Sequence, residues 1–225
     1  ENAAFMAVGH AKYTGGVGVM MSTQGPGAIH LLNGLYDARL DGAPVVAIVG
    51  QQSRSVLGSS YMQEVDLMNL TRDVASAFRQ QINSPEQVPL VLDRAFKKAL
   101  ATGPPAVVVI PHDVQQAPAP ELEQEHGILN TVPVFSPART SPAPADIRAA
   151  ADLINSGERV ALLVGQGARD ARAQVAALAE KIGAGITTSL LGKPYVDESH
   201  PLAAGVMGHL GTSASGFVLA NCDTL

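Results

Sequence analysis

The sequence predicts an α/β protein of two domains, each a parallel sheet flanked by helices. Three observations carry that expectation. Short, continuously apolar runs alternate with amphipathic helical stretches, as parallel strands joined by right-handed crossovers require. A stretch rich in Pro, Ala, Glu and Gln, from Val114 to Pro144, interrupts the alternation and separates two such regions. Gly and Val abound, while only 4% of residues are aromatic and none is Trp, which suits helices packed closely onto parallel strands. With 225 residues, 46% of them hydrophobic, the chain can fill more than one core.

The first region reads as helix Asn2 to Tyr13, with Ala4, Phe5, Val8 and Ala11 at helical spacing, then strand Val17 to Met21. Helix Ala28 to Leu40, with Ile29, Leu32, Leu35 and Tyr36 as its apolar spacing, leads to strand Val45 to Val49. The loop joining this β-loop-α-β unit is Gly25-Pro26-Gly27. Its glycines permit backbone angles and close approach that a Cβ would forbid, and Pro26 fixes φ at the helix start. Such a loop, at a strand's carboxyl end and a helix's amino end, is where open α/β sheets bind ligands. After a loop from Gln51 to Glu64 come a short helix Leu67 to Asp73 and strand Ala77 to Gln81. Helix Pro85 to Ala101, opened by Asn83-Ser84 and closed by Gly103, precedes strand Ala106 to Ile110.

Residues 116–144 are expected to form a linker. The second region then reads as helix Ala145 to Asn155, strand Val160 to Val164, and the loop Gly165-Gln166-Gly167-Ala168-Arg169. Helix Ala171 to Ile182, strand Ile186 to Ser189, a turn-rich Gly192 to Gly211 and helix Ala214 to Ala220 complete it. The chain opens on Glu1 within a helical pattern and closes where a further strand is expected, so it reads as a piece of a larger protein.

Charge and composition narrow the function. Fifteen Lys and Arg against 20 Asp and Glu give a net charge of −5, with no basic surface for nucleic acid. No apolar run reaches the roughly 18 residues that span a bilayer, and no leader pattern is visible. The single cysteine, Cys222, is expected at a buried helix end; it excludes an intrachain disulfide framework and suits a reducing, cytoplasmic setting. The six histidines show no i,i+4 pair and no Cys partner, so no metal site is assigned. Neither Ser22 nor Ser53 lies in a G-x-S-x-G elbow, and a P-loop is missing. Gly165-x-Gly167 is half of a dinucleotide fingerprint whose third glycine is replaced by Asp170, beside a helix start where it would repel phosphate. A tight strand-to-helix turn accounts for these glycines equally well. The NAD dehydrogenase reading is weakened further because strand Ile186 to Ser189 does not end in an acidic residue.

The remaining motifs are specific. Glu1-x-x-Ala4-x-x-Ala7 before a G-x-G-V strand, then S-T-Q-G-P-G-A-I-H-L-L-N-G-L-Y-D-A, P-V-V-A-I-V-G-Q and M-Q-E-V-D, run through residues 1–115. They resemble the pyrimidine-binding domain of thiamine-diphosphate enzymes in the pyruvate oxidase and acetolactate synthase group. From Ile147 onward G-Q-G-A-R, T-T-S-L-L-G-K, D-E-S-H-P-L and G-V-M-G-H-L-G-T are similar to the family's central domain, across residues 145–225. The resemblance implies a thiamine-diphosphate-binding fold followed by a Rossmann-like central domain, both incomplete.

Carried over residue by residue, it implies that Glu1 is the catalytic glutamate. A carboxyl bonded to the pyrimidine N1′ favours the imino tautomer, whose N4′ can take the proton from the thiazolium. A helix-start carboxylate that merely favours the dipole is the bland alternative. Gly25, Pro26 and Gly27 match the loop beside the pyrimidine. His30 matches the pyruvate oxidase pattern G-P-G-x-x-H-L, where acetolactate synthases usually carry Asn. Gln63, with Glu64, matches an F-Q-E segment that reaches the active site across the subunit interface, Met62 standing in for Phe. In the central domain Gly165, Gly167 and Arg169 match the G-x-G-A-R of flavin-carrying members. Thr188, Lys193, Gly208 and Gly211 lie in segments that line FAD, with Pro194 replacing a glycine often found after the lysine.

The protein so implied is a thiamine-diphosphate-dependent, FAD-containing enzyme of the pyruvate oxidase or pyruvate:quinone oxidoreductase kind. It would decarboxylate pyruvate or a similar 2-oxo acid and pass electrons to the flavin. An acetolactate synthase-like carboligase is the alternative, and a non-catalytic domain pair that kept the fold is a second one. The G-D-G and later Asn signature that holds diphosphate and Mg²⁺ does not occur in the sequence. Its domain is expected after Leu225, so Mg²⁺ ligands are expected outside this chain and the piece alone is expected to be inactive. The intact protein is expected to be a homodimer or homotetramer.

Overall fold

The computed structural model describes residues 1–121, 131, 132, 135, 136, 138 and 140–225. Much of the expected linker, with His126, Pro133 and Pro137, lies outside the described residues. The chain divides into two compact units, Glu1–Arg139 and Thr140–Leu225.

In the first unit α1 (Asn2–Thr14), β1 (Gly18–Ser22), α2 (Pro26–Asp41) and β2 (Val45–Gln51) follow one another. A 3₁₀ turn (Arg54–Val56), α3 (Leu67–Leu70) and β3 (Phe78–Gln81) come next. A second 3₁₀ turn (Pro85–Gln87), α4 (Val88–Thr102), β4 (Ala106–Pro111) and α5 (His112–Gln115) complete the regular elements among the unit's described residues. All four strands pair in parallel, in the order β1-β2-β4-β3. The continuously apolar runs take the two central positions, because only there are both faces of a strand covered. Val45, Ala47, Val107 and Val109 meet the helices α1 and α2 on one face. Val46 and Val108 meet Val91, Ala95 and Ala99 of α4 on the other. The helix expected from Pro85 is α-helical only from Val88, since Pro89 has no N–H to bond the Pro85 carbonyl.

The apolar faces expected of α1 and α2 need correction. Ile29 and Tyr36 are 46% and 38% exposed, and Phe5 is 44% exposed. The buried face of α2 is Ala28, Leu31, Gly34, Leu35 and Ala38, and that of α1 is Ala4, Ala7, Val8 and Ala11. Small residues face each other there because the helices nearly touch. A Cβ on Gly34 would lie 2.5 Å from that of Ala4; where α1 packs on β1, one on Gly18 would lie only 2.1 Å from the carbonyl oxygen of Ala7. Lys12 joins the two helices by bonding Asp37 at 3.0 Å, and Asp41 as well.

The second unit runs α6 (Pro144–Ser156), β5 (Ala161–Val164), a 3₁₀ turn (Gln166–Ala171), α7 (Arg172–Ile182) and β6 (Gly185–Thr188). Another 3₁₀ turn (Leu190–Tyr195), β7 (Ala203–Val206) and α8 (Ser213–Asn221) follow. Its sheet is parallel in the order β5-β6-β7, and Thr224 pairs in parallel with Val160 just ahead of β5. Val164, Ala179 and Ile186 form its buried centre. Strand β7 falls inside the turn-rich stretch Gly192 to Gly211, where no strand is expected. Its A-A-G-V is short, Gly205 has φ 93°, and the register slips between Ile186 and Thr187, so no periodic signal marks it. The Gly165 loop is also not a tight turn: a 3₁₀ segment extends to Ala171 before α7 begins at Arg172. Cys222, expected to be buried, is half-buried at the end of α8. Among the described residues no helix is long and apolar enough to cross a membrane.

Candidate active site

Glu1 occupies the N-cap of α1, yet its side chain does not cap that helix. Instead Oε1 accepts a hydrogen bond from Asn33 Nδ2 on α2 at 2.6 Å. Residues three and four apart share a helix face, so Ile29 and His30 stand on the same side of α2 as Asn33. Glu1, Ile29, His30, Leu32 and Asn33 line an open depression of about 290 Å³. The structure therefore brings together Glu1 and His30, and adds Asn33, which sequence reasoning missed. A neutral amide inside L-L-N-G carries no chemical signal of its own; only its i,i+3 relation to His30 could have pointed to it.

The Gly25-Pro26-Gly27 turn opens α2 as expected, with Pro26 its first residue. The close approach it permits, however, is to the chain's own backbone. Gly25 has φ 52° and ψ −113°, and a Cβ there would lie 2.5 Å from the Gln63 carbonyl oxygen. Gln63 is exposed with φ 60°. Two buried glutamines hold its segment to the sheet: Gln51 Nε2 donates to the Val65 carbonyl at 2.9 Å and Gln52 Nε2 to that of Met62 at 2.6 Å. The Glu64 carboxylate accepts the N–H groups of Gly58 at 2.6 Å and Tyr61 at 3.0 Å, closing the loop on itself. Glu64 is thus a structural staple, while Gln63 is displayed. Nearby, Arg54 clamps the strand ends: its backbone N–H and Nε donate to Asp113 at 3.0 and 2.6 Å, and its guanidinium also reaches the Asn83 carbonyl. That backbone bond, with the guanidinium behind it, holds the Asp113 carboxyl below the usual carboxylate range.

In the second unit, the residues carried over for FAD separate into two sets. Thr188, at the end of β6 and only 4% exposed, has a buried Oγ1 with no hydrogen-bond partner among the described residues. Gly165 closes β5 with only Ser189 Oγ near its missing Cβ, at 3.8 Å, and Gly167 and Gly208 face open space. The other set is engaged within the chain. Arg169 Nε donates to the Tyr195 hydroxyl at 3.1 Å, and Lys193 pairs with Glu198. A Cβ on Gly211 would meet the Gly208 carbonyl at 2.7 Å. Gly192, not singled out from sequence, matters more to this edge: a Cβ there would lie 2.0 Å from the Val164 carbonyl oxygen. A separate cavity of about 330 Å³, lined in part by Arg172, Val175, Tyr195 and His200, includes none of the carried-over glycines. Among the described residues no three His, Cys, Asp or Glu gather as a metal ion would need.

Residues 1–70 match the N-terminal TPP binding domain of thiamine pyrophosphate enzymes, and residues 147–225 match their central domain. The chain is 36% identical, over its whole length and 38% of the relative's, to a Bacillus subtilis protein whose name gives thiamine pyrophosphate but no reaction. It is 36% identical to an acetolactate synthase of Arthrospira platensis, over 99% of the chain and 39% of that protein. It is 35% identical to the acetolactate synthase large subunit of Corynebacterium glutamicum, over 100% of the chain and 36% of that protein. The chain belongs to the thiamine pyrophosphate enzymes, and carries their N-terminal and central domains. It spans well under half the length of these three relatives.

Proposed function

We propose that the protein carrying this chain is a thiamine-diphosphate-dependent carboligase of the acetolactate synthase kind, acting on pyruvate or a similar 2-oxo acid. The observation that supports it best is Glu1, a carboxylate turned away from its own helix and set beside the depression on α2. The names of the relatives move ligation ahead of oxidation, which the sequence alone put first.

The residues present fit the pyrimidine half of the cofactor. Glu1 has one oxygen committed to Asn33 and the other without a bonded partner among the described residues, next to the exposed side chain of Ile29. Thiamine diphosphate, when bound, supplies a thiazolium carbon acid and an electron sink for decarboxylation. Glu1 would hold the proton shared with the pyrimidine ring nitrogen, and the Gly25-Pro26-Gly27 turn that opens α2 would lie on the pyrimidine side. His30, on the same depression, orients the substrate, and Gln63 meets it from the displayed segment. Mg²⁺ and the diphosphate belong to a domain other than these two. Thr188, Gly165, Gly167 and Gly208 fit FAD, whose need for a hydrogen-bond partner and close backbone approach they meet; Arg169, Lys193 and Gly211 are committed elsewhere. The intact enzyme is a cytoplasmic homodimer or homotetramer.

A second reading, oxidative decarboxylation with electrons passed to FAD, is favoured by His30 within G-P-G-x-x-H-L. The intact protein, loaded with both cofactors and Mg²⁺ and mixed with pyruvate without oxygen, separates the readings. Acetolactate with unchanged flavin absorbance is expected. Bleached flavin without acetolactate would replace ligation by oxidation, and neither signal with any 2-oxo acid would leave the non-catalytic domain pair.

A further inference from the structure

We propose that Asn33 is the positioning residue of the Glu1 carboxyl: its amide commits Oε1 and so selects Oε2 as the oxygen offered to the pyrimidine. The inference rests on the reading of Glu1 as the catalytic carboxyl. A glutamate at a helix start loses rotamer freedom before its carboxyl is held in one place. Glu1 is exposed and spends none of its side chain on capping, so packing does not hold it. Its side-chain bond at 2.6 Å from Asn33, the one it makes among the described residues, does. A donor to an ionised carboxylate is among the stronger protein hydrogen bonds.

The framework beneath that bond is rigid. Asn33 adjoins Gly34, the residue whose bare Cα lets α2 touch Ala4 of α1. The distance between Asn33 and the start of α1 is therefore set by backbone contact between helices, and not by flexible side chains. The chemistry of the partner matters as well. An amide donates without carrying charge and neither gains nor loses a proton in the working range, so it steers the carboxyl without competing for the proton that Glu1 must exchange. A lysine or histidine at this place would do both.

The tests use the intact enzyme. Asn33 is exposed on a helix, and alanine is the better helix former, so Asn33→Ala should fold with an unchanged or slightly raised thermal midpoint. Its kcat should fall about tenfold, as loss of a charge-assisted bond predicts, with KM for the 2-oxo acid changed less than about twofold. Calorimetric titration of the cofactor-free protein with thiamine diphosphate should show affinity weakened about three- to tenfold. Asn33→Asp supplies a group that donates only when protonated. Its activity relative to the unaltered enzyme should be low at neutral pH and climb as pH falls toward the carboxylic acid range near ~4 to 5, a response no merely structural role would give. Unchanged kcat and cofactor affinity in Asn33→Ala, or a flat activity ratio in Asn33→Asp, would overturn the proposal. Turnover retained in Glu1→Gln would remove the reading of Glu1 and this inference with it. Loss of turnover in Glu1→Gln beside normal Asn33 variants would remove this inference alone.

Discussion

The Cβ that Gly25 lacks would stand 2.5 Å from the main-chain oxygen of Gln63. The turn that opens α2 and the segment that displays Gln63 are thereby interlocked, across 38 positions of sequence, by the absence of a side chain. Gly25→Ala should cost about 2 to 4 kcal/mol, combining a φ of 52° that alanine disfavours with a forced shift of the Gln63 backbone. Urea denaturation measures the loss. Faster proteolysis between Gly58 and Glu64 should accompany it, and full stability in the variant would refute the interlock.

Gly34→Ala sets two effects against each other. Helix propensity favours alanine by up to ~1 kcal/mol, whereas a methyl 2.5 Å from Ala4 Cβ overpacks the α1–α2 contact at about 1 to 3 kcal/mol. Overpacking should win, leaving a less stable protein. Because the same contact sets Glu1 against Asn33, turnover should fall more than stability alone explains, which activity measured well below the melting transition can show.

Glu1→Gln keeps the shape and the acceptor for Asn33 while removing the proton exchange. Turnover of the intact enzyme should drop about a hundredfold or more, the scale of an acid–base contribution, with the circular dichroism spectrum unchanged. Near-normal turnover would exclude Glu1 as the catalytic carboxyl.

Thr188 carries a buried hydroxyl that no other described residue satisfies. An unpaired buried polar group costs about 1 to 3 kcal/mol, so Thr188→Val should stabilise the flavin-free protein by roughly 1 kcal/mol. The same substitution should weaken FAD binding, followed by fluorescence of released flavin. A destabilised flavin-free variant would mean that the hydroxyl already has a use within the fold.

The Arg54–Asp113 clamp gives a pH dependence with a defined sign. Asp113 has its native carboxyl held below the ordinary value of about 3.9. Its contribution is therefore present above that value and lost as pH falls through the lowered native one. Asp113→Ala should be less stable than the unaltered protein at neutral pH, and the gap should close on acidification below about pH 4. Because both side chains are partly exposed, added salt should also narrow it. Paired denaturation curves at neutral and acid pH, with and without salt, test both trends.

Local properties of the chain announced the α/β class, the central strands β2 and β4, the turn before α2 and the family. Continuous apolar runs, a proline between two glycines and a glutamate ahead of a helix are visible wherever the chain later goes. Packing between distant segments decided the rest. It chose which face of α2 is buried, formed β7 from a stretch without periodicity, turned the openness of Gly25 toward Gln63, and set Asn33 beside Glu1 from 32 residues away. Such pairings depend on which surfaces come into van der Waals contact once the sheets assemble. Small residues such as Ala4, Gly18 and Gly34 bring them there, and their lack of side chains is a signal only after the neighbour that fills the space is known.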